Sequence, residues 1–126
     1  MNKDNKIADT ELEIMKTVWA RTTPISSSDI VRELMAQKGW KETTIYTLIS
    51  RLVEKGFLTQ QKQKQVSYYS PTISAQDYVL EQTHSFVNKL FGGDARKLIS
   101  MLCESQSIGL EEIRSLRMNW EEDTND

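Results

Sequence analysis

Cysteine and histidine are almost missing from this chain. Cys103 is its one cysteine and His84 its one histidine among 126 residues. A single cysteine excludes an intrachain disulfide and a cysteine-rich metal site, and fits a reducing compartment, the cytoplasm. Long apolar runs are missing too, so no segment approaches the roughly 20 residues that span a membrane. Behind Met1-Asn2-Lys3-Asp4-Asn5-Lys6 there is no apolar core of the kind an export signal carries. No glycine-rich phosphate loop occurs, and Gly92-Gly93 reads as a helix break. Catalysis has little to work with. No carboxylate is set by spacing as a partner for His84, and Cys103 lies on a different predicted helix. The expectation is a protein that is not an enzyme and holds no cofactor and no metal.

Strong net charge is absent as well, at −2 overall, but the distribution is uneven. Up to Ser70 there are 11 Lys/Arg against 8 Asp/Glu; from Pro71 onward there are 5 against 10. The excess of cations in one half points to a nucleic-acid-facing half and a half that faces something else. Hydrophobic residues make up 38%, low for a self-sufficient globule, which suggests that a partner subunit covers part of the apolar surface.

What is present is helical periodicity. Asp9 is placed to cap a helix over residues 10–20, with Leu12, Met15, Val18 and Trp19 on its apolar face. Pro24 ends the connection that follows. Ser26-Ser27-Ser28-Asp29 offers capping oxygens for a second helix over 27–38, burying Ile30, Val31 and Leu34 with Met35 alongside, and Gly39 is a fitting stop. A third helix over 41–55 ends at Gly56. After it the period changes. Phe57-Leu58-Thr59 and Val66-Ser67-Tyr68-Tyr69-Ser70 read as two short strands, joined through a polar stretch at 60–65 with Lys62 and Lys64 at the tip.

The third helix is the most informative segment. Ile45, Leu48, Ile49, Leu52 and Val53 repeat at the spacing of one helical face. The other face carries Lys41, Thr43, Thr44, Tyr46, Thr47, Ser50 and Arg51, short hydrogen-bonding side chains with almost no acid. A solvated helix face is ordinarily rich in Glu–Lys pairs. Threonines, a tyrosine and an arginine suit base edges, thymine methyls and phosphates in a major groove. Three short helices followed by a basic-tipped hairpin form a winged helix-turn-helix. The fold class is therefore mainly α with a small β-hairpin. Residues 1–71 form the winged-helix domain, 72–120 a helical dimerisation domain and 121–126 an acidic disordered tail.

In the second half Ser74 caps a helix over 75–91, and Asp94 caps a short one after Gly92-Gly93. The apolar stripes, Val79, Phe86, Val87 and Leu90, then Leu98 and Leu102, then Leu110, Ile113, Leu116 and Trp120, bury each other best across a two-fold axis in a homodimer. Cys103 sits on such a stripe and reads as core. His84 reads as lying in or near the dimer interface.

Leu12-Glu13-Ile14-Met15-x-x-Val18-Trp19, Trp40-x-x-x-Thr44-Ile45-x-Thr47-Leu48-Ile49-x-Arg51-Leu52-x-x-Lys55-Gly56, Tyr68-Tyr69-Ser70 and the run from Phe86 to Asp94 together resemble the BlaI/MecI penicillinase-repressor family, which includes the copper-responsive CopY repressors. The resemblance runs from Ala8 to Trp120. It implies a homodimeric, cytoplasmic bacterial repressor on dyad operators with TACA and TGTA half-sites, usually overlapping a promoter. Carried over, the base-reading face falls on Thr43, Thr44, Tyr46 and Thr47. Lys41, Arg51, Lys62 and Lys64 become DNA-backbone contacts. Thr43 and Tyr46 stand where the β-lactam repressors carry basic residues, so bidentate arginine reading of guanine is not available at Tyr46. Those repressors are cleaved at an Asn-Phe bond, where this chain has Met101 and Leu102. The paired Cys-x-Cys motifs of the copper repressors have no counterpart here. No inducer or sensor protease follows from the residues.

Two other functions compete with the DNA-binding repressor. A metal- or redox-sensing repressor would use Cys103, with or without His84, and would carry stoichiometric Cu(I) or Zn(II). A winged-helix protein-interaction module would instead pack the third helix on a protein, without the steep salt dependence of phosphate binding.

Overall fold

The computed structural model describes residues 6–22 and 24–124, those from 118 on as backbone only. The first helix, α1 (Asp9–Trp19), buries Glu11, Ile14, Met15 and Val18, a single stripe at helical spacing. Leu12 and Trp19, expected on that face, are only partly buried at its margin. Asp9 is not the cap. Ala8 holds that position, with extended backbone, and the Glu11 carboxylate caps in its place by accepting the Ala8 N–H at 2.8 Å. Asp9 instead adds negative charge to the first turn, where the helix dipole favours it.

A two-residue strand that the sequence did not suggest follows, β1 (Ile25–Ser26). The second helix, α2 (Ser27–Lys38), begins where Ser26 Oγ accepts the Asp29 N–H at 3.2 Å. It ends at Gly39, whose φ of 69° lies in the left-handed region that glycine enters without strain. Then comes α3 (Glu42–Lys55), closed in the same way by Gly56. Ile30, Val31 and Leu34 of α2 and Ile45, Leu48, Ile49 and Leu52 of α3 meet the α1 stripe in one core, with Ile25, Leu58 and Tyr69.

The hairpin is longer than expected. Its strands are β2 (Leu58–Gln63) and β3 (Val66–Pro71), antiparallel, with Lys62 opposite Ser67 and Gln63 opposite Val66. Lys62 is therefore a strand residue, and only Lys64 belongs to the tip. The turn is Lys64-Gln65, both with positive φ (49° and 70°), as a two-residue turn matching the twist of the strands requires. Strand β1 adds to the other edge of β3, giving the order β1-β3-β2.

The chain divides into two compact units, one ending at Tyr78 and one beginning at Val79. The first runs past Pro71 because the start of α4 (Ala75–Phe91) is held to it. Trp19 Nε1 donates to the Ile73 carbonyl at 2.9 Å, and the Tyr78 ring packs against Trp19 and edge-on to Phe57. Thr72 Oγ1 donates to the Gly56 carbonyl at 2.7 Å, tying the end of the hairpin to the end of α3.

The second unit comprises the rest of α4, α5 (Ala95–Glu104) and α6 (Leu110–Thr124). Gly92 and Gly93, with φ of 59° and 83°, break the helix between the first two. Asp94 then caps α5 by accepting the Arg96 N–H at 3.0 Å. The acidic end differs from expectation: α6 continues to Thr124, because Glu121 and Glu122 are good helix formers and no glycine or proline interrupts them. Cys103 is exposed rather than core. No helix among the described residues is long and apolar enough to cross a membrane.

Candidate nucleic-acid interface

Helix α3 turns one face wholly inward, with Ile45, Leu48, Ile49 and Leu52 each at most 4% exposed. That burial fixes what faces out. Thr43, Thr44, Tyr46, Thr47, Ser50 and Arg51 are all exposed, and Lys41 is exposed at the N-cap. The four candidate base readers and two of the candidate phosphate contacts thus share one accessible surface. Lys62 and Lys64 are exposed on the hairpin. Cross-strand partners share a face of a sheet, so Lys62, opposite Ser67, lies on the same face as the buried Tyr69.

Hydrogen bonding limits what this surface can offer. Thr47 Oγ1 donates to the Thr43 carbonyl at 2.9 Å. Its proton is engaged, leaving outward lone pairs to accept from a base amino group and a methyl to pack on thymine. Behind Tyr46 lies a polar cluster that sequence reading missed. Gln60 Nε2 donates to Ser67 Oγ at 2.9 Å, and Ser67 hydrogen-bonds Tyr69. Burial pushes the Tyr69 phenol up, the Ser67 bond opposes this, and nearby Tyr46 adds to the rise. Tyr69 is therefore a firmly neutral hydroxyl at neutral pH. Its tyrosine–serine–glutamine set, alternating along two paired strands, was the signal that could have revealed it.

The electrostatics divide the first unit. Lys16 and Lys38 both pair with Glu13, Arg21 pairs with Glu33 and Arg32 with Asp29. Among the described residues, Lys41, Arg51, Lys62 and Lys64 form no ion pair. Apart from Lys6, the described cations of the first unit away from the outward face of α3 pair with neighbouring acids, and those on it or on the hairpin do not. An unneutralised set of cations around a face of hydroxyls is suited to a polyanion with readable edges.

A second feature hidden in the sequence is Glu11. It is only 2% exposed, and its Oε1 accepts from Lys55 Nζ at 2.7 Å. Burial raises the carboxyl, but the bonds from Lys55 and the Ala8 N–H, with the charges of Lys55 and Arg51, outweigh it and hold Glu11 below the usual carboxylate range. A charge standing on the stripe of Ile14, Met15 and Val18 was the sign of a buried partner.

The candidate dimer residues behave differently from one another. Val79, Phe86, Leu90, Leu102, Leu110 and Leu116 are exposed, and Leu98 and Ile113 partly so. Val87 is buried and has little surface left to offer a second copy. The Trp120 side chain lies outside the described residues. Among those described, nine of the twelve large apolar side chains that stay exposed fall between Val79 and Leu116, so the uncovered apolar surface is concentrated in the second unit. His84 is exposed on α4. No three of the described His, Cys, Asp and Glu side chains come together as metal ligands.

Three helices with an inward-packed third, followed by a hairpin alongside it, define a winged helix-turn-helix protein. Residues 7–122 match the penicillinase repressor family model, and the chain belongs to that family of repressors rather than to any enzyme class. It is 34% identical to the penicillinase repressor of Bacillus licheniformis over 125 residues, 99% of this chain and 97% of that protein. It is 31% identical to the methicillin resistance regulatory protein MecI of Staphylococcus aureus (strain N315) over 116 residues, 92% of this chain and 94% of the other. The solved DNA-binding domain of the repressor BlaI matches with a TM-score of 0.55 at 37% identity, covering 62% of this chain and 94% of that one. The monomeric form of B. licheniformis BlaI in complex with the blaP half-operator matches at 0.52, with the same identity and coverage.

Proposed function

We propose that this protein is a DNA-binding transcriptional repressor that acts as a homodimer on a dyad operator of the TACA/TGTA type. The observation that carries the proposal is the outward face of α3, a row of exposed hydroxyl side chains with Lys41, Arg51 and the hairpin lysines left unneutralised around it. Thr43, Thr44, Tyr46 and Thr47 read base edges in the major groove. Lys41 and Arg51 hold the phosphates that flank α3, while Lys62 and Lys64 hold the backbone beside the wing. The relative solved with a half-operator supports binding to operator DNA.

The exposed apolar side chains of the second unit, Val79, Phe86, Leu90, Leu102, Leu110 and Leu116, with Leu98 and Ile113, cover one another across the two-fold axis. Dimerisation places two α3 helices on successive half-sites of the dyad, and repression follows from occupying a promoter. The protein works in the cytoplasm, where that DNA is.

The test is a fluorescence-anisotropy titration of a duplex carrying TACA and TGTA half-sites against a scrambled duplex, at two salt concentrations. Preferential binding of two chains per duplex that weakens steeply with salt is expected. Equal weak binding to both duplexes would reject the operator, and no binding at all would reject the reading in favour of a protein-interaction module.

A further inference from the structure

Among the described residues Glu11 is the one charged side chain buried in the core of the first unit. Its contacts join the start of the chain's first helix to the end of its third, 44 positions away. Oε1 accepts the Ala8 N–H at 2.8 Å and Lys55 Nζ at 2.7 Å, and the same Nζ donates to the Lys6 carbonyl at 3.0 Å. The segment before α1, the first turn of α1 and the last turn of α3 therefore close on a single ion pair. It sits next to Gly56, where the chain leaves α3 for the hairpin, and one turn beyond Arg51, whose charge Glu11 also feels.

Stability alone is a poor reason for this arrangement. A buried ion pair replaced by apolar side chains of like volume is often neutral or stabilising. What it supplies instead is direction. The remainder of the buried α3 face is Ile45, Leu48, Ile49 and Leu52, an apolar surface whose contacts are non-directional and tolerate small rotations and slides. A bifurcated set of hydrogen bonds at one end tolerates neither. We propose that Glu11 and Lys55 are positioning residues that lock the register of α3 against α1, and so the direction in which its hydroxyl face points. This rests on the reading of α3 as the base-reading helix. In this role Lys55 acts through α3 and not on the DNA, with two of its three ammonium donors engaged within the protein.

The decisive variant is the double substitution Glu11→Met/Lys55→Met, because Lys55→Met alone would leave an unpaired carboxylate in the core. Three measurements on the full chain are needed: melting temperature, amide hydrogen exchange of the last turn of α3, and operator against scrambled-duplex affinity at two salts. The double variant is expected to melt no lower than the parent. Its amides near Leu52 and Val53 should exchange about tenfold faster, and its preference for the operator should fall about tenfold with an unchanged salt slope. Lys55→Arg, which keeps charge and donors, should behave like the parent. A double variant indistinguishable from the parent in exchange and preference would overturn the proposal. So would one that loses its fold, since the pair would then be a source of stability, or one whose salt slope drops by a phosphate. If the parent shows no operator preference, the functional reading fails, and the exchange rates still decide whether the pair fixes α3.

Discussion

At the scale of single residues, the outward face of α3 divides by what each side chain still has to offer. Thr47 has engaged its hydroxyl proton with the Thr43 carbonyl, so it presents a methyl and lone pairs. Thr47→Ala is expected to shift operator preference by about 1–3 kcal/mol at the contacted base pair. Thr47→Val keeps the methyl and should retain most of the parent's preference. Measured binding to single-base-pair operator variants checks both, and an Ala variant with the parent's profile would remove Thr47 from the reading face. Tyr46, 39% exposed and beside Tyr69, is a ring with one hydroxyl, so Tyr46→Phe isolates that hydroxyl without opening a hole against the sheet. These residues were legible in the sequence because the 3.6 period sorted them outward once Ile45, Leu48, Ile49 and Leu52 were sorted inward. Glu11 was not legible, because hydropathy assigns a glutamate to water, and only its partner on α3, 44 positions away, overrides that. Cys103 failed in the opposite sense: its helix is amphipathic, yet within one chain α5 buries none of its residues.

At the scale of elements, the helices were readable because their ends carry their own chemistry. Ser26 and Ser74 accept N–H groups at the starts of α2 and α4, and Gly39 and Gly56 take the left-handed conformation at the ends of α2 and α3. The sheet was less readable. Strand β1 has only two residues, too few for any period, and exists because β3 offers it an edge. The Gln60–Gln63 stretch is polar and a poor strand former, and β3 imposes its conformation through the ladder. The hairpin turn gives a prediction at this scale. Lys64 and Gln65 both occupy left-handed backbone, which disfavours residues other than glycine, asparagine or aspartate by about 1–2 kcal/mol each. Lys64→Asn/Gln65→Gly should therefore raise stability by about 1 kcal/mol in urea melts. The same change should weaken binding to all duplexes alike and reduce the salt slope by about one phosphate. A more stable variant with full affinity would mean that Lys64 contacts no DNA.

The contact between α1 and α3 carries a pH dependence. The folded Glu11 carboxyl lies below its ordinary value, so the folded state binds fewer protons there than the unfolded chain. Its contribution is complete above the ordinary glutamate range and is lost as pH falls from that range through the lower folded value. Urea midpoints followed from neutral pH into that acid window should fall. In Glu11→Gln the neutral-pH midpoint should be lower and the acid decline shallower. An equally steep decline in the variant would assign the acid sensitivity to Glu13, which Lys38 and Lys16 hold low in the same way.

At the scale of the whole molecule, the two halves have opposite deficits. The first unit closes its core but leaves cations unmatched, and the second leaves apolar surface uncovered. On the proposed function, DNA answers the first and a second copy of the chain answers the second. Leu116 tests the second cleanly, because at 61% exposed most of it is left uncovered within its own chain. Leu116→Asp should leave the melting of a separated protomer nearly unchanged while placing a carboxylate in the apolar contact between copies, where an unpaired charge is strongly disfavoured. Light scattering should then report half the parent's mass at concentrations where the parent is dimeric. Operator affinity should fall with it, because one wing on one half-site holds fewer phosphates and loses the benefit of linked half-sites. The residual binding should be that of a monomer, with one chain per half-site and roughly half the salt slope. If Leu116→Asp remains a dimer by scattering, the α6 stripe is not at the interface. If it dissociates and keeps the parent's affinity and slope, dimerisation has no part in holding the operator, and the coupling proposed between the two halves is wrong.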